Sequence, residues 1–158
     1  MARISDITPT HQPAILALNN AHAVELSWLE PARLSHLIGQ AFYARRIGEV
    51  EAFMLAFDQS ADYDSPNFLW FRQRMPRFVY VDRIAVDAAA RGRGHARLLY
   101  EDLFARAAEA GHTVVTCEVN LDPPNPASDA FHAALGFAEI GAATLPGKAV
   151  RYFERPIA

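Results

Sequence analysis

The chain has 158 residues, 51% of them hydrophobic and 21% charged, which suits one domain with one sizeable core. Its net charge of −3 excludes a general nucleic-acid binder, because affinity for a phosphate backbone needs clustered excess Lys and Arg. The single cysteine, Cys117, excludes an intrachain disulfide and favours a reducing compartment.

The opening residues, Met1-Ala2-Arg3-Ile4-Ser5-Asp6, lack the apolar centre of a signal peptide. No apolar run reaches membrane-spanning length, so a cytoplasmic protein without a membrane partner is expected. Arg3–Thr8 predicts a first strand. Ile15, Leu18 and Leu26 predict one helix from Thr10 to about Leu29, and Pro31 opens a second to about Gln40. Phe42–Ile47 and Val50–Phe57 predict two strands joined by the Ile47-Gly48-Glu49 turn. Residues 59–77 hold Pro66, Pro76, Tyr63, Phe68, Trp70 and Phe71, and predict a long aromatic loop of the kind that often carries function.

Phe78–Val86 predicts a strand rich in Val, Ile and Tyr. Arg93 to about Ala110 predicts a helix with an apolar stripe of Ala96, Leu99, Leu103, Ala107 and Ala110. Arg97/Glu101 and Asp102/Arg106 pair on its wet side, and Gly111 ends it. Val114–Asn120 predicts a strand, Pro123-Pro124-Asn125-Pro126 a rigid connection, and Ala127–Leu135 a short helix closed by Gly136. Phe137–Ala142 and Ala149–Phe153 predict the last strands. With no repeat, one domain over residues 1–158 and a mixed α/β sheet follow. The six histidines (11, 22, 36, 95, 112, 132) include no i, i+4 pair, so no metal site is expected.

The most informative stretch is Val86-Asp87-Ala88-Ala89-Ala90-Arg91-Gly92-Arg93-Gly94-His95-Ala96-Arg97, between a strand and a helix. Its glycines let backbone approach a ligand, its arginines add positive charge, and the helix start offers unpaired N–H groups. Together these make a pyrophosphate cradle. A dinucleotide fingerprint needs a third glycine where Arg97 stands, and a P-loop needs Lys and Ser/Thr after its second glycine. Arg91-Gly92-Arg93-Gly94-His95-Ala96 instead fits Arg/Gln-x-x-Gly-x-Gly/Ala, and so resembles the acetyl-CoA motif of the GNAT superfamily of N-acetyltransferases. The plainer reading is a glycine turn that only links strand to helix.

Asn125-Pro126-Ala127-Ser128-Asp129-Ala130-Phe131-His132-Ala133-Ala134-Leu135-Gly136-Phe137 resembles that family's later motif. Asn125 and Gly136-Phe137 match, Ser128 takes a small-residue place, and His132 stands where the family usually has tyrosine. Local roles coexist with this: Asn125 as an N-cap, Pro126 as first helical residue, Gly136 as the stop.

The resemblance implies a mostly antiparallel mixed sheet with splayed central strands, flanked by helices. It implies acetyl-CoA as acyl donor and direct acetyl transfer to a primary amine of a small molecule or peptide, without a covalent enzyme intermediate. Ile84, Ala85 and Val86 would run along the pantetheine. Arg91, Gly92, Arg93, Gly94, His95, Ala96, Arg97, Asn125 and Ser128 would complete the coenzyme site.

Proton transfer falls to three candidates. Glu118 shares a strand face with Thr116 and Asn120 and is the candidate base, as a glutamate there is in some relatives. Asp82 is the second candidate base, with a salt bridge to a neighbouring arginine as its plainer reading. His132 is the candidate proton donor, with a pH limb near 6–7. Cys117 faces away from Glu118 and reads as a buried structural residue. For the acceptor the candidates are Trp28, Tyr63, Trp70 and Phe71, with Arg72, Arg74 and Arg77 suiting a carboxylate, although the aromatic loop also suits a homodimer contact. The competing function is a non-catalytic acyl-CoA sensor, suggested by the missing tyrosine.

Overall fold

A computed structural model describes residues 3–157. Seven strands form one sheet in the order β1-β2-β3-β4-β5-β7-β6. They are β1 (Ile4–Asp6), β2 (Tyr43–Ile47), β3 (Ala52–Asp58), β4 (Val79–Val86), β5 (Val114–Asp122), β6 (Ala138–Leu145) and β7 (Lys148–Pro156). Every neighbouring pair is antiparallel except β4–β5. The helices are α1 (Gln12–Ala21), α2 (Ala23–Leu26), α3 (Pro31–Gln40), α4 (Pro66–Arg72), α5 (His95–Glu109) and α6 (Pro126–Ala134), and no described helix is long and apolar enough to cross a membrane.

Alternation along the strands builds a core on each face of the sheet. Phe53, Leu55 and Phe57 of β3 meet Ile15 and Leu18 of α1, Leu34 and Leu37 of α3, and Phe68 and Phe71 of α4. Met54 and Ala56, with Val79 and Val81 of β4 and Val115, Cys117 and Val119 of β5, meet Leu99, Tyr100, Leu103 and Ala107 of α5. Cys117 and Glu118 therefore project to opposite faces, as alternation requires.

Two sequence expectations are corrected. The helix expected from Thr10 to Leu29 is interrupted at His22 and ends after Leu26, and Ser27 takes a left-handed φ of 71°. Asn19 and Asn20 compete for the backbone beyond it: Asn19 Nδ2 donates to Ser27 O at 2.9 Å, while Asn20 bonds both the N–H and the C=O of Leu29. The aromatic loop expected over residues 59–77 contains α4, whose Phe68 and Phe71, three apart, are fully buried. Each such burial contributes about 1.5–3 kcal/mol, enough to fold the segment onto the sheet rather than leave it free.

β4 and β5 pair only at Val79–Val115 and Tyr80–Thr116 and diverge beyond them. Asp82 has no partner across β3, because Leu55 opposes Arg83 and Ala56 opposes Val81. This bulge twists β4 where the two strands part. Past the fork, the β5-facing backbone of β4 is an unpaired edge inside the molecule, a template for a strand-like ligand.

Candidate active site

A cleft opens on each side of the fork. The first, about 300 Å³, is walled by Ile84, Ala85 and Val86, with Arg91, Asn125 and Ser128 also facing it. The second, about 410 Å³, is reached by Trp28, Tyr63 and Lys148. Asp82, Arg83 and Glu118 border both.

Glu118 is half-buried on the open stretch of β5, and Tyr80 donates its hydroxyl to Oε2 at 2.5 Å. Burial pushes the Glu118 carboxyl up to about 8; the Tyr80 hydrogen bond and the Lys148 charge pull it down, and the Asp82 charge pushes it up. A carboxylate poised near neutrality between two clefts is suited to taking a proton from one side. Asp82 is differently placed. Its Oδ2 pairs with Arg83 Nε at 2.7 Å, its Oδ1 accepts from Tyr63 at 2.6 Å, and its side chain is 5% exposed. Arg83 Nη1 in turn donates to Asn19 Oδ1 at 2.9 Å, tying β4 to the segment that carries Trp28. With both oxygens engaged, Asp82 is the anchor of a buried network and the salt-bridge reading holds.

The glycine turn leads from β4 into α5. Asp87 accepts from Ala89 N at 2.9 Å, and Gly92 and Gly94 lie at φ of 79° and 77°, in the left-handed region where a Cβ is strained. A Cβ added at either would meet nothing within 4 Å, so the surface above the turn is open. The first N–H groups of α5 are unbonded within the helix and carry its positive end. The side chains divide. Arg91 faces the first cleft and lies 3.2 Å from His22 Nε2. Arg93 pairs with Glu51 at 3.0 Å and Arg97 with Glu101 at 3.6 Å, both outside the cleft walls. His95 is 4% exposed, with Nε2 3.5 Å from Glu51, so its imidazole is removed from the coenzyme set and its backbone alone remains.

On α6, Asn125 caps the helix by accepting from Ser128 N at 3.2 Å. His132 Nδ1 lies 2.8 Å from the Ser128 carbonyl, which only a protonated Nδ1 can bond. Nε2 is then the acceptor for the Tyr100 hydroxyl, 2.8 Å away. Burial lowers the proton affinity of His132, against a weaker pull upward from the Ser128 carbonyl and Asp129. Neutral, with both nitrogens engaged, His132 has no proton aimed at the cleft. Tyr100, also on the cleft wall, has its hydroxyl pushed well above the usual phenol range by burial, so it stays protonated throughout the working range.

Among the acceptor candidates, Trp28 (64% exposed) and Tyr63 border the second cleft. Trp70 and Phe71 border neither. Trp70 stacks on Tyr152 at 4.2 Å and covers Gly141, where a Cβ would come within 2.5 Å of the indole, and Phe71 belongs to the core. Arg72 and Arg74 lie over Phe68 and Trp70, and Arg77 donates to Ala110 O, so none supplies a cation to the cleft. Sequence reasoning missed Tyr80, Tyr100, Asn67 and Lys148. Tyr80 shares a strand with Asp82, and Lys148 is the one lysine of the chain, so both left a signal. Tyr100 reads as one more apolar-stripe residue until α6 is placed against it.

A sequence profile of the acetyltransferase (GNAT) family matches residues 20–137. L-2,4-diaminobutyric acid acetyltransferase of Wolinella succinogenes is 30% identical over 86 residues, 51% of this chain and 50% of that one, so the chain spans about half the length of this relative. The ribosomal-protein-S18-alanine N-acetyltransferase of Escherichia coli superposes with a TM-score of 0.74 at 21% identity, over 100% of this chain and 95% of that one. Ard1 of Thermoplasma volcanium gives 0.78 at 14%, over 99% and 98%. At these identities the two structures establish a shared fold.

Proposed function

The chain belongs to the acetyltransferase (GNAT) family, and we propose that it moves an acetyl group from acetyl-CoA to the primary amine of a small molecule or peptide. The observation that carries this reading is Glu118 on the border of both clefts, where the strands part. The residues of the first cleft fit the coenzyme. The free edge of β4 matches an extended amide-bearing arm, and the open glycine turn with the α5 N-terminus and Arg91 matches a pyrophosphate. When bound, the coenzyme supplies an acetyl group activated as a thioester.

The chain's own work is proton traffic and positioning. Glu118, as carboxylate, takes a proton from the ammonium of an acceptor in the second cleft, directly or through water. Tyr100, held by His132 from behind, supplies a proton on the coenzyme side. The hydroxyl turns from Nε2 to do so, and the role assigned to His132 by sequence becomes that of holding the phenol. Asp82, Arg83 and Asn19 fix the bulge and the Ser27–Glu30 segment relative to Glu118.

Thiol release from acetyl-CoA over a library of amines tests the reading. Turnover that depends on an amine supports it. Tight coenzyme binding by calorimetry with no turnover on any amine would favour an acyl-CoA sensor instead.

A further inference from the structure

Among the described residues, the second cleft holds one cation that is not paired. Lys148 opens β7 directly after the two-residue Pro146-Gly147 turn, where Gly147 lies at φ 78° and Leu145 pairs across the hairpin with Lys148. The ammonium is thus presented from a pinned hairpin end rather than from a loose loop. It borders the second cleft together with Glu118, and its charge reaches that carboxyl. The cleft's other cations are engaged: Arg33 with Asp64 at 2.7 Å and Arg83 with Asp82 at 2.7 Å. Lys148 makes no ion pair with any described residue. Asn67 stands in the same cleft, 5% exposed. Its Oδ1 accepts from Tyr152 at 2.8 Å, and its amide nitrogen donates to no described residue. One unpaired cation and one unused amide donor, on the side of the carboxylate that faces the acceptor, are the complement of a small carboxylate.

We propose that the acceptor is a small amino carboxylate, an amino acid or close analogue, with its amine toward Glu118 and its carboxylate on Lys148 and Asn67. A cleft of about 410 Å³ holds a molecule of that size. This inference rests on the acetyl-transfer reading for its chemistry but not for its binding.

The test uses matched pairs that differ only in the carboxylate, such as 2,4-diaminobutyrate with 1,3-diaminopropane and lysine with cadaverine, within a panel of amino acids. Both thiol release and calorimetry on the coenzyme A-loaded protein are read, for the wild type, Lys148→Met and Lys148→Arg. The expected result is a preference of about tenfold or more for the carboxylate member of at least one pair, expressed in KM. Lys148→Met should erase it, Lys148→Arg should largely restore it, and the KM of the decarboxylated partner should change little, any shift of Glu118 falling equally on the kcat of both members. Equal turnover of both members, or an equal loss on both in Lys148→Met, would overturn the inference and leave acetyl transfer standing. No thiol release, with carboxylate binding that Lys148→Met abolishes, would do the reverse. Failure of every carboxylate to bind would overturn the anion site outright.

Discussion

Tyr80 donates its hydroxyl to Glu118 across the fork between β4 and β5, at 2.5 Å and just where the two strands stop pairing. The bond favours the ionised carboxylate, while burial favours the neutral acid more strongly and pushes the group up to about 8. If Glu118 is the base, kcat/KM rises with pH and levels off above a limb near 8 in the wild type. Tyr80→Phe removes the stabilising donor and moves that limb to higher pH. Glu118→Gln lowers kcat by about 10²–10⁴, the usual range for general-base catalysis. A profile flat from pH 6 to 9 would take the role from Glu118.

The same shift makes a stability statement. An ordinary unfolded glutamate releases its proton near 4.5, whereas the folded chain keeps Glu118 protonated to about 8. Between those values the folded state binds more protons than the unfolded state, so stability is fully present below 4.5 and falls as pH rises to about 8. The loss is on the order of a few kcal/mol. Glu118→Gln has no proton to lose. Its melting temperature relative to wild type should therefore climb from pH 5 to pH 9. A difference that stays constant with pH would show that Glu118 titrates normally.

What the sequence made legible followed its local signals. The Asn125 cap and the alternation that parts Cys117 from Glu118 depend on residues close together in the chain and stand as read, and Gly92 and Gly94 take the left-handed backbone that glycine permits. The surroundings of the second cleft were not legible, because they are assembled at long range. Trp70 looks like an exposed loop aromatic until Tyr152, from the far end of the chain, stacks on it. Asp82 looks like a second base until Tyr63 and Arg83 take its oxygens. His132 looks like a free titrating group until Ser128 O and Tyr100 fix its tautomer.

That last pair changes the pH behaviour expected of the site. A neutral His132, with burial lowering its proton affinity, produces no limb near pH 6–7. Tyr100→Phe keeps the ring packed among Phe104, Phe131 and Phe137 and deletes only the hydroxyl. It is expected to lower kcat by about 10²-fold with coenzyme affinity nearly unchanged, the effect of losing a proton donor. Wild-type kcat in Tyr100→Phe, together with a limb near 6–7 that His132→Phe removes, would return the donor role to His132.

Gly94 allows the proposed coenzyme site to be tested apart from the rest of the fold. At φ 77° any side chain there is strained, at a cost of about 1–2 kcal/mol, yet a Cβ meets no heavy atom within 4 Å, so nothing in the core has to move. Gly94→Ala carries the strain alone and should lower the melting temperature by about 2–8 °C. Gly94→Glu adds a carboxylate above the N–H groups that would receive the pyrophosphate, where negative charge repels negative charge. It should stay folded with a melting temperature close to that of Gly94→Ala, while calorimetry with coenzyme A shows affinity reduced by about 10²-fold or more relative to that variant. Equal affinity in the two variants would mean that the phosphates lie elsewhere, and that the turn serves only to pass the chain from β4 into α5.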